Sequence, residues 1–312
     1  MNPQASSVRA RQCFSGSNPI RAIARAPRSS AFAVSAGKRV VEIVDCRAGR
    51  ESPALCEIGA LAFSPTGDRL AVGCNGGRLL IVAADSHDVR ARLRSDAPGY
   101  HELSWSPDGR IVAAGQREPR VTIVDPGTAT ILRVLDPDVF DDEGRTAVTF
   151  SPDGEVLAST AYNAVWLWRV DQLASARASI ARRKLAVRGH AHLLDVAFSA
   201  DGRSIAALAE SEGRSVIHLW ETGSGEKLTR IPLPRLAIRL AWWGELFAVG
   251  EVRGEGVSLW NTATARRVDV VLAGASGETV TALDTSADGK ALIAGTDRGQ
   301  VFWWPLDGVV NN

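Results

Sequence analysis

The side chains best suited to hold a metal ion are two histidines that alternate along one predicted strand. His190 and His192 would lie on the same face of that strand, because every second residue of a β-strand points the same way. Zinc sites need three or four ligands, and no cysteine or third histidine lies nearby in the sequence. We therefore predict a structural role for His190 and no metal site.

A second group of possible ligands lies in the acidic segment LDPDVFDDEGR at 135–145. Its carboxylates could bind calcium or a basic partner, but their spacing departs from the EF-hand pattern. A solvated acidic connection is the simpler interpretation. The acidic residues of this segment are Asp136, Asp138, Asp141, Asp142 and Glu143.

No motif of a catalytic or nucleotide-binding site occurs in the chain. The sequence has no GxSxG elbow, no phosphate-binding P-loop, no GxGxxG and no HExxH. The segment HELSW at 101–105 only begins like the last of these. We predict that the protein is not an enzyme and that it has no catalytic, metal-binding or cofactor-binding residues.

The overall charge argues against binding through a strongly basic field. Lysine and arginine total 36 against 35 aspartate and glutamate residues, which gives a net charge of +1. Nucleic acids and anionic membranes attract proteins with a large positive excess, so neither is an expected partner. No segment is apolar over the roughly 20 residues of a membrane span, and the start MNPQASSVRARQ lacks the apolar stretch of a secretory signal. We expect a cytoplasmic protein.

The four cysteines show neither a CxxC pair nor the spacing of a zinc site. A chain of this length does not depend on disulfides for its core, so we predict reduced, structural thiols. Cys46 and Cys56 could face each other across a hairpin, although the sequence does not require it. The cysteines are Cys13, Cys46, Cys56 and Cys74.

The elements that must position any site come from an internal repeat. Five clear copies share an apolar strand, a turn like Ser-Pro-Asp-Gly and a second strand, and two weaker copies fill the gaps. In such a turn Pro presets φ, Asp bonds to nearby backbone and Gly adopts the left-handed conformation. Equivalent positions recur every roughly 38 to 48 residues, which brackets the period of propeller blades. The copies begin at Ile23, Leu61, Leu103, Val148, Val196, Leu240 and Leu283.

The strands after the turn carry two kinds of side chain. The second strands are rich in small residues, which suit sheets that crowd near a central axis, and four third strands carry tryptophan at one equivalent place. Tryptophan can fill the wedge where blades diverge. We predict an all-β, seven-bladed β-propeller of four-stranded antiparallel blades, a single domain over 1–312. The tryptophans assigned to its core are Trp168, Trp220, Trp260 and Trp304.

The last copy leaves no room for a fourth strand, because only PLDGVVNN follows Trp304. The N-terminal segment SSVRARQ echoes HDVRARL at 87–93, which holds the fourth-strand position of the second blade. We predict that 7–16 pairs with the C-terminal blade and closes the ring, which removes an exposed sheet edge. The predicted blades are approximately 20–57, 58–95, 100–136, 145–188, 193–232, 237–273 and 279–306.

These repeats resemble the WD40-repeat family over essentially the whole chain, and the composition is similar to that of free-standing bacterial members. The fullest copy has Gly-His at 189–190 and Trp-Glu at 220–221, where Trp-Asp is usual. In the family a His, a Ser or Thr, an Asp and the Trp hydrogen-bond in series within a blade. The resemblance assigns this network to His190, Ser211 and Trp220, with the carboxylate from Glu212 or Asp195.

The resemblance also implies that partners dock on the face where blade connections and second-to-third-strand turns emerge around the central channel. Arg and Tyr are favoured anchors there, because they combine contact area with directional bonds. The candidates in the connections are Tyr100, His101, Phe140, Asp141, Asp142, Glu143, Arg145, His192, Arg235 and Arg239. The candidates in the turns are Arg117, Arg120, Tyr162, Asn163, Glu212, Arg214, Arg253, Glu255 and Arg298.

We expect a non-catalytic scaffold that presents this face to a protein or peptide partner, with a monomer favoured. The alternative is a propeller enzyme of the hydrolase or lactonase type, with its site at the channel mouth. Such a site needs carboxylates, Asn or His that converge from several blades, whereas the second strands end mainly in Gly, Ala, Ser and Thr. An assembly subunit that binds along its sides is a third possibility.

Overall fold

The described part of the chain is built almost entirely of β-strands. The computed structural model describes residues 6–27, 29, 31–137, 145–173, 182–189, 191–268, 270–273, 275–286 and 290–306. Within these ranges the helical structure is a 3₁₀ turn over Val170–Gln172. None of the helical structure described is long and apolar enough to cross a membrane.

The strands form seven sheets, each of which is one blade, and two N-terminal strands join the last two blades. The N-terminal strands are β1 (Ser6–Arg9) and β2 (Arg11–Ser15). Blade one contains β3 (Ile23–Arg25), β4 (Phe32–Ala36), β5 (Arg39–Val44) and β6 (Arg47–Glu51). Blade two contains β7 (Ile58–Phe63), β8 (Arg69–Cys74), β9 (Arg78–Ala83) and β10 (Val89–Arg94).

The middle blades follow the same plan of four antiparallel strands in chain order. Blade three contains β11 (Tyr100–Trp105), β12 (Val112–Gln116), β13 (Val121–Asp125) and β14 (Thr130–Leu135). Blade four contains β15 (Val148–Phe150), β16 (Val156–Ala161), β17 (Ala164–Arg169) and β18 (Arg182–Ala186). Blade five contains β19 (His192–Phe198), β20 (Ser204–Ser211), β21 (Arg214–Glu221) and β22 (Lys227–Pro232).

The last two blades take their outermost strands from the N-terminal segment. Blade six contains β23 (Ala237–Trp243), β24 (Leu246–Glu251), β25 (Val257–Asn261) and β26 (Val270–Ala273). Blade seven contains β27 (Val280–Thr285), β28 (Ala291–Thr296) and β29 (Gln300–Pro305). The predicted seven-bladed, four-stranded antiparallel propeller is confirmed.

The ring closes as predicted, through an N-terminal strand on the C-terminal blade. Strand β2 pairs antiparallel with β29, from Arg11 opposite Trp303 to Ser15 opposite Gln300. The pairing of strand β1 was not predicted from the sequence. This strand pairs in parallel with β26 and gives blade six a fifth strand. The N-terminal segment therefore covers the outer edges of two neighbouring blades.

The repeated turns have the geometry that their residues predict. In blade three the Gly109 N–H donates to the Ser106 carbonyl at 2.8 Å, and the Ser106 hydroxyl donates to Asp108 Oδ1 at 2.6 Å. Gly109 has a φ of 71°, the left-handed conformation that favours glycine. These turns lie together on one face of the ring, which we call the lower face. The opposite face, with the blade connections and the second-to-third-strand turns, is the upper face.

The first strand of each blade lines the central channel, and each contacts the first strands of the blades on either side. The second strands are buried between neighbouring blades, with Ala71, Ala113, Ala206 and Ala294 fully enclosed. The prediction that small residues permit close sheet packing is thus correct, but the strand nearest the axis is the first. Trp168, Trp220, Trp260 and Trp304 are all buried between blades.

All four cysteines form disulfides, so the prediction of reduced thiols was wrong. Cys13 is bonded to Cys46, and Cys56 to Cys74, with Cα–Cα distances of 4.6 and 5.9 Å. The suggested Cys46–Cys56 pairing does not occur. Sequence spacing could not give these pairs, because ring closure brings Cys13 on β2 next to a turn of blade one. The Cys13–Cys46 disulfide therefore ties the closing strand to blade one.

Candidate functional site

The central channel holds a cavity of about 670 Å³ that is lined by residues from all seven blades. Its wall runs from Arg21, His101 and Arg239 toward the upper face down to the Ser-Pro turns of the lower face. Because first strands supply this wall, charged residues on those strands face a shared, enclosed space. The channel and its upper mouth are therefore the candidate functional site.

A recurrent β-bulge aims the side chains of the channel wall. In five blades the first strand skips one residue in its pairing with the second strand, as at His101 between Tyr100 and Glu102. Bulges re-aim neighbouring side chains and are frequent at binding sites. The residue directly after the bulge is alanine in two of these blades, and it is Glu102, Asp195 or Arg239 in the other three.

Carboxylates in the channel join neighbouring blades through backbone hydrogen bonds. The Leu240 N–H of blade six donates to Asp195 Oδ2 of blade five at 2.8 Å. The Arg25 N–H of blade one donates to Asp284 Oδ2 of blade seven at 3.2 Å. Asp195 therefore bridges two blades near the middle of the channel, and Asp284 bridges another pair nearer the lower face.

Burial inside the ring makes these carboxyl groups harder to ionise. Burial, with the nearby Asp195 charge, raises the pKa of Glu102 well above its usual value. The pKa of Asp195 is raised to about 6, mainly by burial, although the Arg239 guanidinium opposes that shift. Burial also raises the pKa of Asp284. The channel wall below its upper mouth thus carries acidic groups that bind protons more readily than ordinary carboxyls.

Arginines converge around His101 at the upper mouth of the channel. They come from the connection into blade one (Arg21), a turn of blade three (Arg117), the connection into blade four (Arg145) and blade six (Arg239). Burial, followed by the charges of Arg239, Arg145 and Arg117, lowers the pKa of His101 well below its usual value. His101 is therefore uncharged at neutral pH. We call Arg21, Arg117, Arg145 and Arg239 the arginine cluster.

The members of the arginine cluster also repel one another. Burial lowers the pKa of Arg145, and the charges of Arg239, Arg117 and Arg21 lower it further. Within the described ranges, no carboxylate oxygen lies within 4.0 Å of a nitrogen of these four side chains. Arg117 donates instead to the neutral Asn75 Oδ1 at 3.0 Å, and Arg239 to the Ile238 carbonyl at 2.9 Å. Among the described residues, the mouth therefore concentrates positive charge without direct ion pairs, and the carboxyl groups of Glu102 and Asp195 act electrostatically with Arg239 from the channel wall below.

Other predicted residues of the upper face are neutralised by their own neighbours. Arg120 forms ion pairs with Asp136 at 3.1 Å and Glu118 at 3.4 Å. Arg235 lies 3.6 Å from Glu255. Glu255 is also 2.5 Å from Arg267, and that bond holds the pKa of Glu255 below its usual value. These side chains stabilise local turns and contribute little net charge to the face.

A separate aromatic pair lies between blades four and five. The rings of Tyr162 and His192 meet edge to face with centroids 5.7 Å apart, and Asn163 Nδ2 donates to the Gly189 carbonyl at 3.4 Å. The four remaining turn candidates are exposed on the upper face. They are Glu212, Arg214, Arg253 and Arg298.

Tyr100 does not reach the surface that a partner would contact. It is 1% exposed, and its hydroxyl shares a 2.7 Å hydrogen bond with Ser95 Oγ. Its place in the repeat is that of Ile58 and Val280, which are buried apolar residues in other blades. Tyr100 therefore belongs to the core. Phe140, Asp141, Asp142 and Glu143 lie outside the described residues, as does His190.

The polar network implied by the family resemblance is only partly visible. Trp220 is buried and stacks on His218 with ring centroids 5.7 Å apart, and Ser211 is half-buried at the end of β20. Asp195 is not the carboxylate of this network, because both of its oxygens accept backbone N–H groups in the channel, from Val196 and Leu240. In blades four and six the tryptophans donate to serines instead, as Trp168 does to Ser159 at 2.9 Å.

Sequence reasoning found much of the upper mouth and missed much of the channel wall. It singled out His101, Arg117, Arg145 and Arg239, but not Arg21, Glu102 or Asp284. The signal for Arg21 was the repeat itself, because Arg21 and His101 both lie four residues before the last residue of a first strand. No protein-family model matches the chain. The described residues contain no group of three or more His, Cys, Asp or Glu suited to a metal ion.

Proposed function

We propose that this protein is a non-catalytic platform that binds a protein or peptide partner at the upper mouth of its channel. The arginine cluster carries the proposal. Arg120 and Arg235 on the upper face have carboxylate partners, whereas Arg117 and Arg145 are exposed without one among the described residues. Arginine is a frequent anchor at interfaces, because its guanidinium offers both contact area and several donors.

The proposed platform belongs to the WD40-repeat type and comes from a bacterium. The turn chemistry, the blade period and the buried tryptophans support the family assignment. Most of the family's polar network is replaced by packing, so the assignment rests on the repeat pattern. The composition supports the bacterial origin, since arginine greatly outnumbers lysine.

The nature of the partner follows from the charge distribution. A net charge of +1 does not favour nucleic acid or an anionic membrane, since both are bound through broad basic surfaces. The arginine cluster is compact and surrounds an opening, which fits a protein or peptide segment. The working unit in this proposal is a monomer.

Quantitative capture tests the platform proposal. The tagged protein, the Arg117→Gln/Arg145→Gln variant and a control would be incubated with native cell extract, and bound proteins identified by mass spectrometry. The control is Arg92→Gln/Arg94→Gln, which removes the same charge from exposed positions of β10. We expect a defined partner to bind the native chain and the control but not the mouth variant. Identical bound proteins on all three would refute the proposal.

A hydrolase or lactonase is the second candidate, and the acidic channel wall favours it. Carboxyl groups with raised pKa values inside a cavity are typical of general acids, and Glu102 and Asp195 have this character. The test is hydrolysis of a panel of lactones and esters by the native chain and by Glu102→Gln. Activity lost in Glu102→Gln would favour the enzyme, and no turnover by the native chain would favour the platform.

The disulfides argue against the cytoplasm, which was the compartment expected from the sequence. Disulfides persist in oxidising compartments and are rare where thioredoxin and glutathione keep thiols reduced. Two disulfides, one of them across the closing seam, favour an oxidising compartment, and we propose that location. Trapping of free thiols in native cells tests it. Cysteines that are alkylated without prior reduction would instead indicate the cytoplasm.

A further inference from the structure

The upper mouth of the channel brings cationic side chains together from parts of the chain that are far apart in sequence. Arg21 belongs to the connection into blade one, Arg117 and Arg145 flank the outer strands of blade three, and Arg239 follows a bulge of blade six. Arg21 and Arg239 line the same cavity, and the Thr146 N–H donates to the Gln116 carbonyl at 3.0 Å, which joins the segment of Arg145 to that of Arg117. The electrostatic effect of Arg21, Arg117 and Arg239 on Arg145 agrees with this placement. Ring closure, rather than the local sequence, therefore creates the cluster.

Holding these charges together costs free energy, which Glu102 and Asp195 offset in part through Arg239 and which no direct ion pair among the described residues relieves. Like charges in a partly desolvated site repel one another, and the lowered pKa of Arg145 reflects that repulsion. A bound anion would remove the repulsion and would accept several charge-assisted hydrogen bonds at once. The cluster therefore has the properties of an anion-binding site that is assembled before its ligand arrives.

The channel wall below the cluster limits which anion fits. Glu102 and Asp195 are the residues that directly follow the bulges of β11 and β19. His101, which precedes Glu102 in the channel wall, is uncharged. Burial raises the pKa of both carboxyl groups, which favours their protonated forms, and a protonated carboxyl can donate a hydrogen bond to a single carboxylate. A dianion such as phosphate would meet the ionised fraction of the same groups and be repelled. A monoanionic carboxylate is the better match.

We propose that the arginine cluster binds carboxylate side chains of an acidic segment in the partner protein, with one such side chain directed into the channel. This inference rests on the platform function proposed above and names the chemistry of its ligand. The partner segment would carry several Asp or Glu residues, since the exposed guanidinium groups of Arg117 and Arg145 can each donate hydrogen bonds to one carboxylate.

A peptide titration tests the proposal directly. Fluorescein-labelled hexaglutamate is titrated with the full chain and followed by fluorescence anisotropy, and labelled hexaglutamine is the uncharged probe. We expect hexaglutamate binding that weakens as salt rises, and Arg117→Gln/Arg145→Gln should weaken it by about tenfold or more. The charge-matched Arg92→Gln/Arg94→Gln control should stay within about twofold of the native chain.

Each of the following results would overturn the proposal. The first is equal binding of hexaglutamate and hexaglutamine, and the second is equal loss in the mouth variant and the control. The third is displacement of hexaglutamate by inorganic phosphate at concentrations where acetate has no effect, which would assign the site to phosphate. If hexaglutamate fails to bind while a cellular partner is still lost from the mouth variant, the platform stands and the carboxylate chemistry falls.

The acidic segment of the chain itself is the remaining competitor for the site. Four of its five acidic side chains are removed together in the variant Asp138→Asn/Asp141→Asn/Asp142→Asn/Glu143→Gln, which keeps the Asp136–Arg120 ion pair. Hexaglutamate should bind this variant and the native chain with affinities within about threefold of each other. Binding to the variant alone would mean that the chain's own segment is the ligand, and the proposal of a partner segment would be wrong.

Discussion

The aspartates in the turns of the lower face and the arginine cluster of the upper face differ in how their charges are satisfied. On the lower face, Asp153 accepts hydrogen bonds from Ser151 Oγ at 2.5 Å and from the Glu155 N–H at 3.0 Å. These bonds hold the pKa of Asp153 below its usual value. On the upper face, Arg117 and Arg145 have no carboxylate within 4.0 Å among the described residues, and burial lowers the pKa of Arg145.

The difference separates architecture from function. A charge that recurs in several copies and is satisfied within its own turn serves the fold, so it reveals little about the ligand. A charge that occurs once and is left uncompensated costs stability, and such local conflicts are expected where a protein binds something. The repeated lower face and the irregular upper face therefore carry different information, and the following experiments test that division.

Removal of the closing strand should have the largest effect, because both faces depend on the intact ring. A chain that lacks residues 1–16 loses the β2–β29 pairing and the Cys13–Cys46 disulfide. We expect its melting temperature to fall by roughly 10 °C or more in a calorimetric scan. A chain that lacks only residues 1–9 keeps β2 and should fall much less. Equal melting of the two truncated chains would contradict this account of closure.

Loss of the seam disulfide alone should be the next largest effect. Cys13→Ser/Cys46→Ser should lower the free energy of unfolding by about 2–4 kcal/mol, because the open chain gains conformational entropy. Urea denaturation measures the change, with Cys56→Ser/Cys74→Ser as the comparison within blade two. Ligand binding at the upper mouth should persist below the melting temperature. A loss of binding without unfolding would link the seam to the site.

A lower-face aspartate should affect stability and leave binding unchanged. Asp153→Ala removes two hydrogen bonds and should lower the free energy of unfolding by about 1–2 kcal/mol at neutral pH. The pKa of Asp153 is lower in the folded chain than in the unfolded chain. This stabilisation is therefore present above the unfolded pKa and is lost as pH falls through the folded pKa. Denaturation at several acidic pH values should show the two chains converging.

The channel carboxylate Asp195 should respond to pH in the opposite direction. Its pKa is raised to about 6, so the native chain gains stability below the unfolded pKa and loses it as pH rises through about 6. Asp195→Asn does not titrate, so its stability relative to the native chain should improve by about 1 kcal/mol between mildly acidic and neutral pH. Asp201→Asn, on the lower face, should show no such improvement. Thermal melts of the native chain, Asp195→Asn and Asp201→Asn at a series of pH values measure these differences.

The smallest effect on stability should come from the arginine cluster. Arg117→Gln and Arg145→Gln should each change the free energy of unfolding by about 0.5 kcal/mol or less, since neither side chain forms an ion pair with a described residue. Side-by-side thermal melts are sufficient. A drop as large as that of Asp153→Ala would mean that these arginines support the fold, and the division between the two faces would fail.

The fold could be predicted from the sequence because each copy of the repeat indicates the same local structure. Turn residues such as Ser106 and Gly109 fix the hairpins, and small and large side chains mark the second and third strands. No sequence pattern indicated the parallel pairing of β1 with blade six, because one short edge strand needs no particular order of residues. The Cys13–Cys46 disulfide was missed for a related reason, since these two residues meet only in the closed ring.

The site was predicted in part because topology alone places turns and connections on one face. That reasoning found Arg117, Arg145 and Arg239, but it also selected Tyr100, whose repeat position is buried in other blades. Glu102 was missed because the second strands, rather than the first, were expected to surround the axis. The ion pairs that neutralise residues such as Arg235 depend on side-chain positions that no pattern encodes.

The N-terminal segment has a consequence for how the protein is made. Residues 6–15 pair with Val270–Ala273 of blade six and Gln300–Pro305 of blade seven, and Cys13 bonds to blade one. These residues leave the ribosome before every strand that they pair with. They therefore stay unpaired until the last blades are synthesised. The upper mouth draws on blades one, three, four and six, and a nascent chain therefore cannot recruit a ligand there. Assembly with a partner has to follow release from the ribosome.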